Sequence, residues 1–443
     1  MRIKLGIPLT MSEVRFAILG EDVSDTRTVT HISTSSETSM RGDLFFALKG
    51  KFRDGETFVR DAKSRGALTV SAIDGDIICT STILALLSLA KYYKAKLKSL
   101  RKTVAITGSV GKTTTKEFTF ELLSGSFRVH KNQGNYNNDI GLPLSILSAP
   151  KDTEVLLLEM GMNHPGEIAR LTECAEPDIA VITNIGTAHI GNLGSREKIA
   201  EAKLEIISGG ARLIAPYGEP LLSEYTDISF SAADSSADVC VTRELSELTV
   251  YREGKKELSA NFSPLGPQFV SCLAAATAVA AELSVSSEKI ACGIERIKGS
   301  STRISIMKLG ELTVVEDCYN ASLESFIADF KLLDELSPSS KSAMIGTIME
   351  LGELSASIHY ALGCEAARAG LDRLYLIGEM SSHVKRGAMR FGMKENSIFT
   401  AATHSDAAKA VRKNYVPGEA LLIKGSRAAM MEKAVSYLKN EFT

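Results

Sequence analysis

The sequence predicts an α/β protein of three domains, and three observations carry that expectation. From residue 103 onward, short apolar segments alternate with amphipathic ones, the pattern of crossover units around a mainly parallel sheet with sites at the carboxyl ends of its strands. The alternation breaks and resumes after Lys298-Gly-Ser-Ser-Thr302. The length of 443 residues supports two to four cores at roughly 100–200 residues each, and 44% hydrophobic against 23% charged residues excludes a largely disordered chain. The expected domains are 1–98, a small mixed α/β unit; 99–300, a central parallel sheet; and 301–443, a smaller α/β unit.

The N-terminal domain shows its clearest signal at Gly42-Asp-Leu-Phe-Phe-Ala-Leu-Lys-Gly50, an apolar run between turn residues. Thr82 to Leu97 has helical spacing, and the basic run Lys98-Ser-Leu-Arg-Lys102 reads as a linker. Expected strands then fall at 104–107, 155–159 and 179–183, with helices near 113–124, 166–174 and 196–208. In the last domain strands are expected near 313–316, 343–346, 373–378 and 420–424.

Composition excludes several function classes. The formal charge of −2 argues against nucleic acid or an anionic membrane surface as main partner. The Ala-rich run from Cys272 to Leu283 is shorter than the ~20 residues that cross a bilayer, so no stable membrane insertion is expected. The first residues lack the apolar core of an export signal. Seven scattered cysteines with no C-x-x-C pair predict buried free thiols in a reducing cytoplasm, with neither a disulfide framework nor a zinc site.

The segment Gly108-Ser109-Val110-Gly111-Lys112-Thr113-Thr114 carries the most chemistry. Between a strand and a helix it would converge backbone N–H groups and the positive helix end on a polyphosphate. The glycines permit the tight turn, Lys112 would reach the β- and γ-phosphates, and the Thr113 hydroxyl would face Mg²⁺. The long form of this pattern has glycine at position 106, where this chain has Ile106, so the match is the shorter G-S-x-G-K-T form. Together these features make the central domain a P-loop ATPase-type parallel sheet.

Glu159 ends an apolar strand and is expected at the sheet edge near the phosphate loop, while His189 follows the next strand. Carboxylate, hydroxyl and phosphate oxygens suit Mg²⁺, and a neutral imidazole can complete a second ion's shell. Taken singly, Glu159 would be a solvated strand end, His189 a hydrogen-bonded loop residue and Lys203 a surface lysine. His359 is a candidate base near the Met349-Glu350-Leu351-Gly352 loop, or a helix-surface histidine.

The runs TGSVGKTTTKE (107–117), NQGNYNNDIGLPLSIL (132–147), LLLEMGMNHPGEI (156–168), NIGTAHIGNLGSREKIAEAK (184–203), EDCYNAS (316–322), GTIMELGELSASIH (346–359) and LIKGSR (422–427) together resemble the Mur ligases, in family order over nearly the whole chain. The nearest branch adds D-alanyl-D-alanine to a UDP-N-acetylmuramoyl tripeptide. The resemblance implies an N-terminal domain holding the UDP-linked muramoyl peptide, a central ATP-binding domain and a C-terminal Rossmann-like domain bringing the amine, in a cytoplasmic monomer. It implies ATP and two Mg²⁺ sites, with Lys112, Glu159, His189, Lys203 and Arg303 as catalytic residues. Thr113 and Glu159 would serve one ion and Glu159 and His189 the neighbourhood of the other. Lys203 stands where the family carries a carbamylated lysine, whose anionic carbamate helps hold metal. Asp317 matches a ribose-binding carboxylate, with Asn320 beside it in the nucleotide pocket. Ser35, Ser36, Asn137, Asn138, Lys424, Ser426 and Arg427 are the substrate-binding candidates, with Lys424 to Arg427 opening the last helix on the amine side.

Four positions depart from the branch. Ser35-Ser36-Glu37 stands where it has D-S-R, an exchange of arginine for glutamate facing an anionic substrate. Gly266-Pro-Gln268-Phe269-Val-Ser-Cys272 replaces G-x-H-N-x-x-N, so the asparagines used around adenine are missing. D-x-Y-N-A-N-P becomes Asp317-Cys-Tyr-Asn-Ala-Ser-Leu323, and the aspartate of G-D-M-L-E-L-G becomes Thr347. Three alternatives therefore stay open: a divergent ligase joining another amine to another carboxylate, a degenerate nucleotide-binding module, and a small-molecule phosphotransferase.

Overall fold

The computed structural model describes residues 1–50, 53–298 and 303–442, so the expected domain boundary at 300/301 lies outside the described residues. Its strands form three sheets, dominated by parallel pairing, as expected for the α/β class. By compactness the chain divides into two units that interleave in sequence.

The first unit comprises Met1–Thr107, Leu123–Val181 and Ala202–Leu213. Its N-terminal sheet runs in the order β1 (Arg2–Thr10), β2 (Thr28–Ser33), β3 (Asp43–Phe46), β4 (Leu68–Ser71) and β5 (Ile77–Ile78), with β1 antiparallel and the others parallel. All four residues of β3 are buried, Asp43 included. Arg2 answers that buried carboxylate with two hydrogen bonds, Nε to Oδ2 at 2.8 Å and Nη2 to Oδ1 at 3.0 Å, so the outer strand is pinned to the middle of the sheet.

Helix Thr82–Ala95 starts at Ser81, whose hydroxyl accepts from Leu84 N, and buries Leu86, Leu89, Ala90 and Tyr93. The Tyr93 hydroxyl donates to the Ala149 carbonyl at 2.7 Å. The basic run after it is no free linker. Arg101 N donates to Glu154 O, and Lys102 already opens β6 (Lys102–Thr107). With β7 (Val129–Lys131) and β8 (Val155–Glu159), β6 forms a parallel set in the order β7-β8-β6. β8 is buried throughout, which explains its continuous apolar run. β9 (Ile179–Ile182) and β10 (Arg212–Pro216) carry the chain onward.

The second unit comprises Gly108–Leu122, Ile182–Glu201 and Ile214–Thr443. Residues 214–216 pair in parallel with β11 (Ile228–Ser231), which pairs in parallel with β12 (Val239–Glu244). An antiparallel meander of β12, β13 (Glu247–Arg252) and β14 (Lys255–Asn261) follows. The Ala-rich run expected to be too short for a bilayer lies in the buried helix Pro267–Glu282, and no described helix is long and apolar enough to cross one.

The C-terminal sheet contains β15 (Ser305–Leu309), β16 (Leu312–Asp317), β17 (Ser340–Ile345), β18 (Arg373–Ile377), β19 (Ile398–Ala401) and β20 (Glu419–Lys424), in the order β15-β16-β20-β17-β18-β19. Only β15 and β16 pair antiparallel. The last strand therefore threads between two earlier ones, and all six of its residues are buried. Lys424 closes this strand. The last helix begins at Glu432, after a single 3₁₀ turn at Arg427–Ala429, so Lys424 to Arg427 do not open it.

All seven cysteines are free. Cys174, Cys240, Cys272, Cys318 and Cys364 are buried as expected, but Cys79 is half-buried and Cys292 exposed. Cys292 falls on the outer side of helix Ser287–Arg296, whose buried residues are Ile290, Gly293 and Ile294.

Helices Ser355–Arg368 and Ser381–Arg390 cross at two glycines. A Cβ on Gly363 would stand 2.0 Å from the Val384 carbonyl oxygen, and one on Gly387 2.0 Å from that of Tyr360. Neither backbone can yield without separating the helices. Gly363→Ala should therefore destabilise the protein by about 1–3 kcal/mol, seen as a lowered Tm in calorimetry, while Ala361→Ser on the same helix should cost less than about 1 kcal/mol.

Candidate functional site

The loop 108–112 leaves β6 and enters helix Lys112–Leu123. Gly108 sits at φ 147° and Gly111 at φ 83°, conformations closed to most side chains. A Cβ on Gly108 would also lie 1.9 Å from Thr183 Oγ1. The loop is braced from segment 183–186. Asn184 accepts from Val110 N through Oδ1 (3.0 Å) and donates from Nδ2 to Val110 O (3.1 Å). Thr183 Oγ1 donates to the same carbonyl at 2.6 Å. Ser109 N donates to Asn184 O, and Ser109 Oγ accepts from Gly186 N. Lys112 folds back over the turn, its Nζ donating to Gly108 O at 2.7 Å.

Two expected residues meet at this helix start. Arg303 donates to the Thr113 hydroxyl, and its guanidinium stacks on the Tyr319 ring with 3.9 Å to the centroid. Farther along, Thr187 N and Oγ1 both donate to the Glu324 carboxylate (2.8 and 3.0 Å). His189, at φ 64°, brings Nδ1 to 2.6 Å from Glu350 Oε2, while Gly191 N donates to Glu350 O.

Glu159 is 1% exposed, not a solvated strand end. It stands in register with Ile106, two residues ahead of Gly108. Asn137 donates to its Oε1 at 2.8 Å, and Asn132 bonds its main chain on both sides. The spacing of Asn132 and Asn137 thus builds a carboxamide frame for one buried carboxylate, and Asn137 is engaged inside that frame. Asn138 instead accepts from Ile140 N and Gly141 N, closing the turn that leads into helix Gly141–Leu147.

Lys203 closes helix Arg196–Leu204 with 1% exposure, so it is no surface lysine. Ser36 is buried, and its hydrogen bond, with that of Arg65, holds the Asp61 carboxyl below its usual range. Ser35 O accepts from the Ser33 and Ser39 hydroxyls. Glu37 is exposed and receives Arg65 on its main-chain carbonyl. In the C-terminal sheet Asp317 ends β16, Asn320 is exposed just beyond it, and its Oδ1 accepts from Ala321 N. Ser426 is buried and accepts from Met349 N, bracing the 346–351 loop, while Arg427 is exposed.

Lys424 and His359 correct the sequence-based picture. Lys424 is fully buried, with its ammonium between Asp317 and Asp329, not lining an open amine site. His359 is neither helix-surface nor a free base: at 1% exposure its Nε2 accepts from Ile348 N, leaving Nδ1 to donate to Ser355 O. Burial pulls its pKa below the ordinary histidine range.

Among the described residues no three His, Cys, Asp or Glu side chains cluster as a metal cage. Thr113, Glu159 and His189 each carry a donor of the kind Mg²⁺ accepts. Sequence reasoning missed Thr183, Asn184, Glu324, Glu350 and Asp329. Asn184 alone carried a signal, a carboxamide just past an apolar strand; the others act across long sequence separations.

Residues 106–280 match the Mur ligase middle domain and residues 302–427 the Mur ligase, glutamate ligase domain. A UDP-N-acetylmuramoyl-tripeptide–D-alanyl-D-alanine ligase of Bacillus subtilis is 34% identical over 438 residues, covering 93% of this chain and 94% of that protein. The crystal structure of MurF from Acinetobacter baumannii superposes with a TM-score of 0.89 at 28% identity, over 99% of this chain and 100% of that one. A MurF ligase of Thermotoga maritima in complex with ADP gives a TM-score of 0.81 at 29% identity, over 93% and 97%.

Removing the carboxamide that braces Val110 should loosen the loop without unfolding the protein. Asn184→Ala should raise the dissociation constant for ATP by about 5–30-fold, the worth of two lost hydrogen bonds, as read by titration calorimetry.

Proposed function

We propose the reaction of this chain from one premise: it belongs to the Mur ligase family, ATP-dependent amide ligases that release ADP and phosphate. Its reaction is the joining of D-alanyl-D-alanine to a UDP-N-acetylmuramoyl tripeptide in peptidoglycan precursor synthesis. The observation that carries this is the phosphate loop clamped by Asn184, in a chain similar to such ligases along more than nine-tenths of its length. Residues 1–98 would hold the uridine nucleotide, 99–300 the ATP and 301–443 the incoming amine.

A carboxylate is a poor acyl donor because attack on it would have to expel oxide. Its oxygen attacks the γ-phosphorus of ATP, the bond to the β-phosphate oxygen breaks, and ADP leaves. The resulting acyl phosphate is captured by the amine of D-alanyl-D-alanine, which loses a proton and expels inorganic phosphate as the amide forms. Lys112 moves from the Gly108 carbonyl to the β- and γ-phosphates, and Arg303, steadied on Tyr319, spreads positive charge over the transferred group. The backbone N–H groups at the start of helix 112–123 hold the phosphate chain in line.

Thr113, Glu159 and His189 are the residues that would hold Mg²⁺ at two sites, and the ion neutralises charge on the phosphoryl oxygens when bound. The Asn132 and Asn137 frame orients Glu159 for that task. The burial of Lys203 supports its role as a carbamate, since only a neutral amine adds CO₂ and desolvation favours the neutral amine. Asp317 and Asn320 serve the nucleotide's ribose side. Asn138 and Ser426, each bonded to its own loop, would brace those loops beside the substrates.

Two measurements test this. Phosphate release should require the nucleotide tripeptide and the dipeptide together, and turnover that persists with either omitted overturns the reading. Lys112→Met should lower kcat by about 10²–10³-fold at saturating substrates, with folding unchanged by circular dichroism.

A further inference from the structure

Behind Asp317, the C-terminal sheet contains two buried charged residues, Lys424 and Asp329, that the reaction above does not use. Asp317 and Lys424 end adjacent parallel strands in register, so their side chains leave the sheet at the same level. Lys424 contacts Asp317 and lies 2.8 Å from Asp329 Oδ2. Asp329 belongs to helix Leu323–Glu335, which packs against β20. Its other oxygen, Oδ1, accepts from Gln268 Nε2 at 3.3 Å. Gln268 is the residue that stands in place of the expected histidine in the helix Pro267–Glu282.

The middle of this relay is its driest part, and both ends are more open. The Asp317 side chain is 16% exposed, that of Asp329 3% and that of Lys424 1%. A buried ammonium on four methylenes would swing if one carboxylate held it. A second carboxylate from another element fixes it. We propose that Asp329 and Lys424 are positioning residues for nucleotide recognition: they hold the Asp317 carboxylate in the orientation that accepts the ribose hydroxyls of ATP.

This rests on the assignment of Asp317 to the ribose. The electrostatics agree with the geometry. Burial alone would pull the Lys424 ammonium down, and Asp317 and Asp329 override it, holding the charge in place. Burial pushes the Asp329 carboxyl above the usual carboxylate range, against the pull of Lys424. Lys424 also approaches the Phe326 ring, 5.7 Å to the centroid, which leaves it little room for another rotamer.

The experiment compares ATP with 2′,3′-dideoxy-ATP, using the full-length protein and both acyl and amine substrates at saturation. The wild type should favour ATP by about tenfold or more in kcat/KM, the worth of hydrogen bonds to a charged acceptor. Asp329→Asn keeps the shape and removes the charge. It should shrink that preference to about threefold or less by raising KM for ATP, with kcat moving less than about twofold. Asp317→Asn sets the fully lost preference.

A variant that loses rate equally on both nucleotides, its preference intact, marks a merely structural role and overturns the proposal while the ribose assignment stands. A wild type with no preference removes the ribose assignment and the proposal with it. Should Asp329→Asn not fold, Gln268→Leu, at the half-buried outer end of the relay, should lower the preference in the same direction. An unchanged ratio there overturns the proposal equally.

Discussion

The shape of residues 108–112 hangs on one carboxamide. Asn184 takes the N–H of Val110 on its oxygen and returns an N–H to the Val110 carbonyl, so a single side chain satisfies both polar groups of one loop residue. That arrangement holds the loop against the segment after β9 and lets Gly108 keep a backbone angle that no larger residue would accept. The start of helix 112–123 and the folded-back Lys112 follow from it. Phosphate chemistry needs donors set before the substrate arrives, because reorganising them during the reaction would return much of the gain.

Elsewhere the protein carries several charges out of water, each at the cost of a dedicated partner. Glu159 has its asparagine frame, Asp43 its bidentate Arg2, and Lys424 its two carboxylates. Glu419, also buried, takes Arg373 on one oxygen and Ser342 on the other. These groups sit at strand ends or in the strands beside them, where neighbouring elements converge and a partner can be supplied. Pairing β20 between β16 and β17 brings Asp317, Lys424 and Ile345 to the same edge of the C-terminal sheet although the sequence spreads them over a hundred residues.

Much of the fold was readable from periodicity. The strands at 155–159, 179–182 and 419–424 announce themselves as apolar runs because both faces are covered. The phosphate loop was equally plain, since its glycines and lysine have a local reason to be where they are. Lys203, Lys424 and His359 resisted the same treatment. A lone lysine at the end of a helix or strand is solvated far more often than buried, and its burial depends on segments distant in sequence. The partners of Lys424 show why: Asp317 lies 107 residues away and Gln268 enters through the intervening Asp329. The departure at Gln268, where the family has histidine, looked like a loss in the sequence; in three dimensions Gln268 donates to Asp329.

Because the two compact units interleave, synthesis and folding cannot proceed in simple order. The first unit needs residues 202–213, yet residues 108–122 and 182–201, made before them, belong to the second. At roughly 5–20 residues per second, a nascent chain waits many seconds between its first strand and the segment that completes the first unit, and longer for residues 419–424 to fill the gap in the last sheet. Until then β16 and β17 each present an open edge to the crowded interior of the cell. A sheet whose inner edges stay unpaired until its last strand is made is the consequence of placing that strand at the centre.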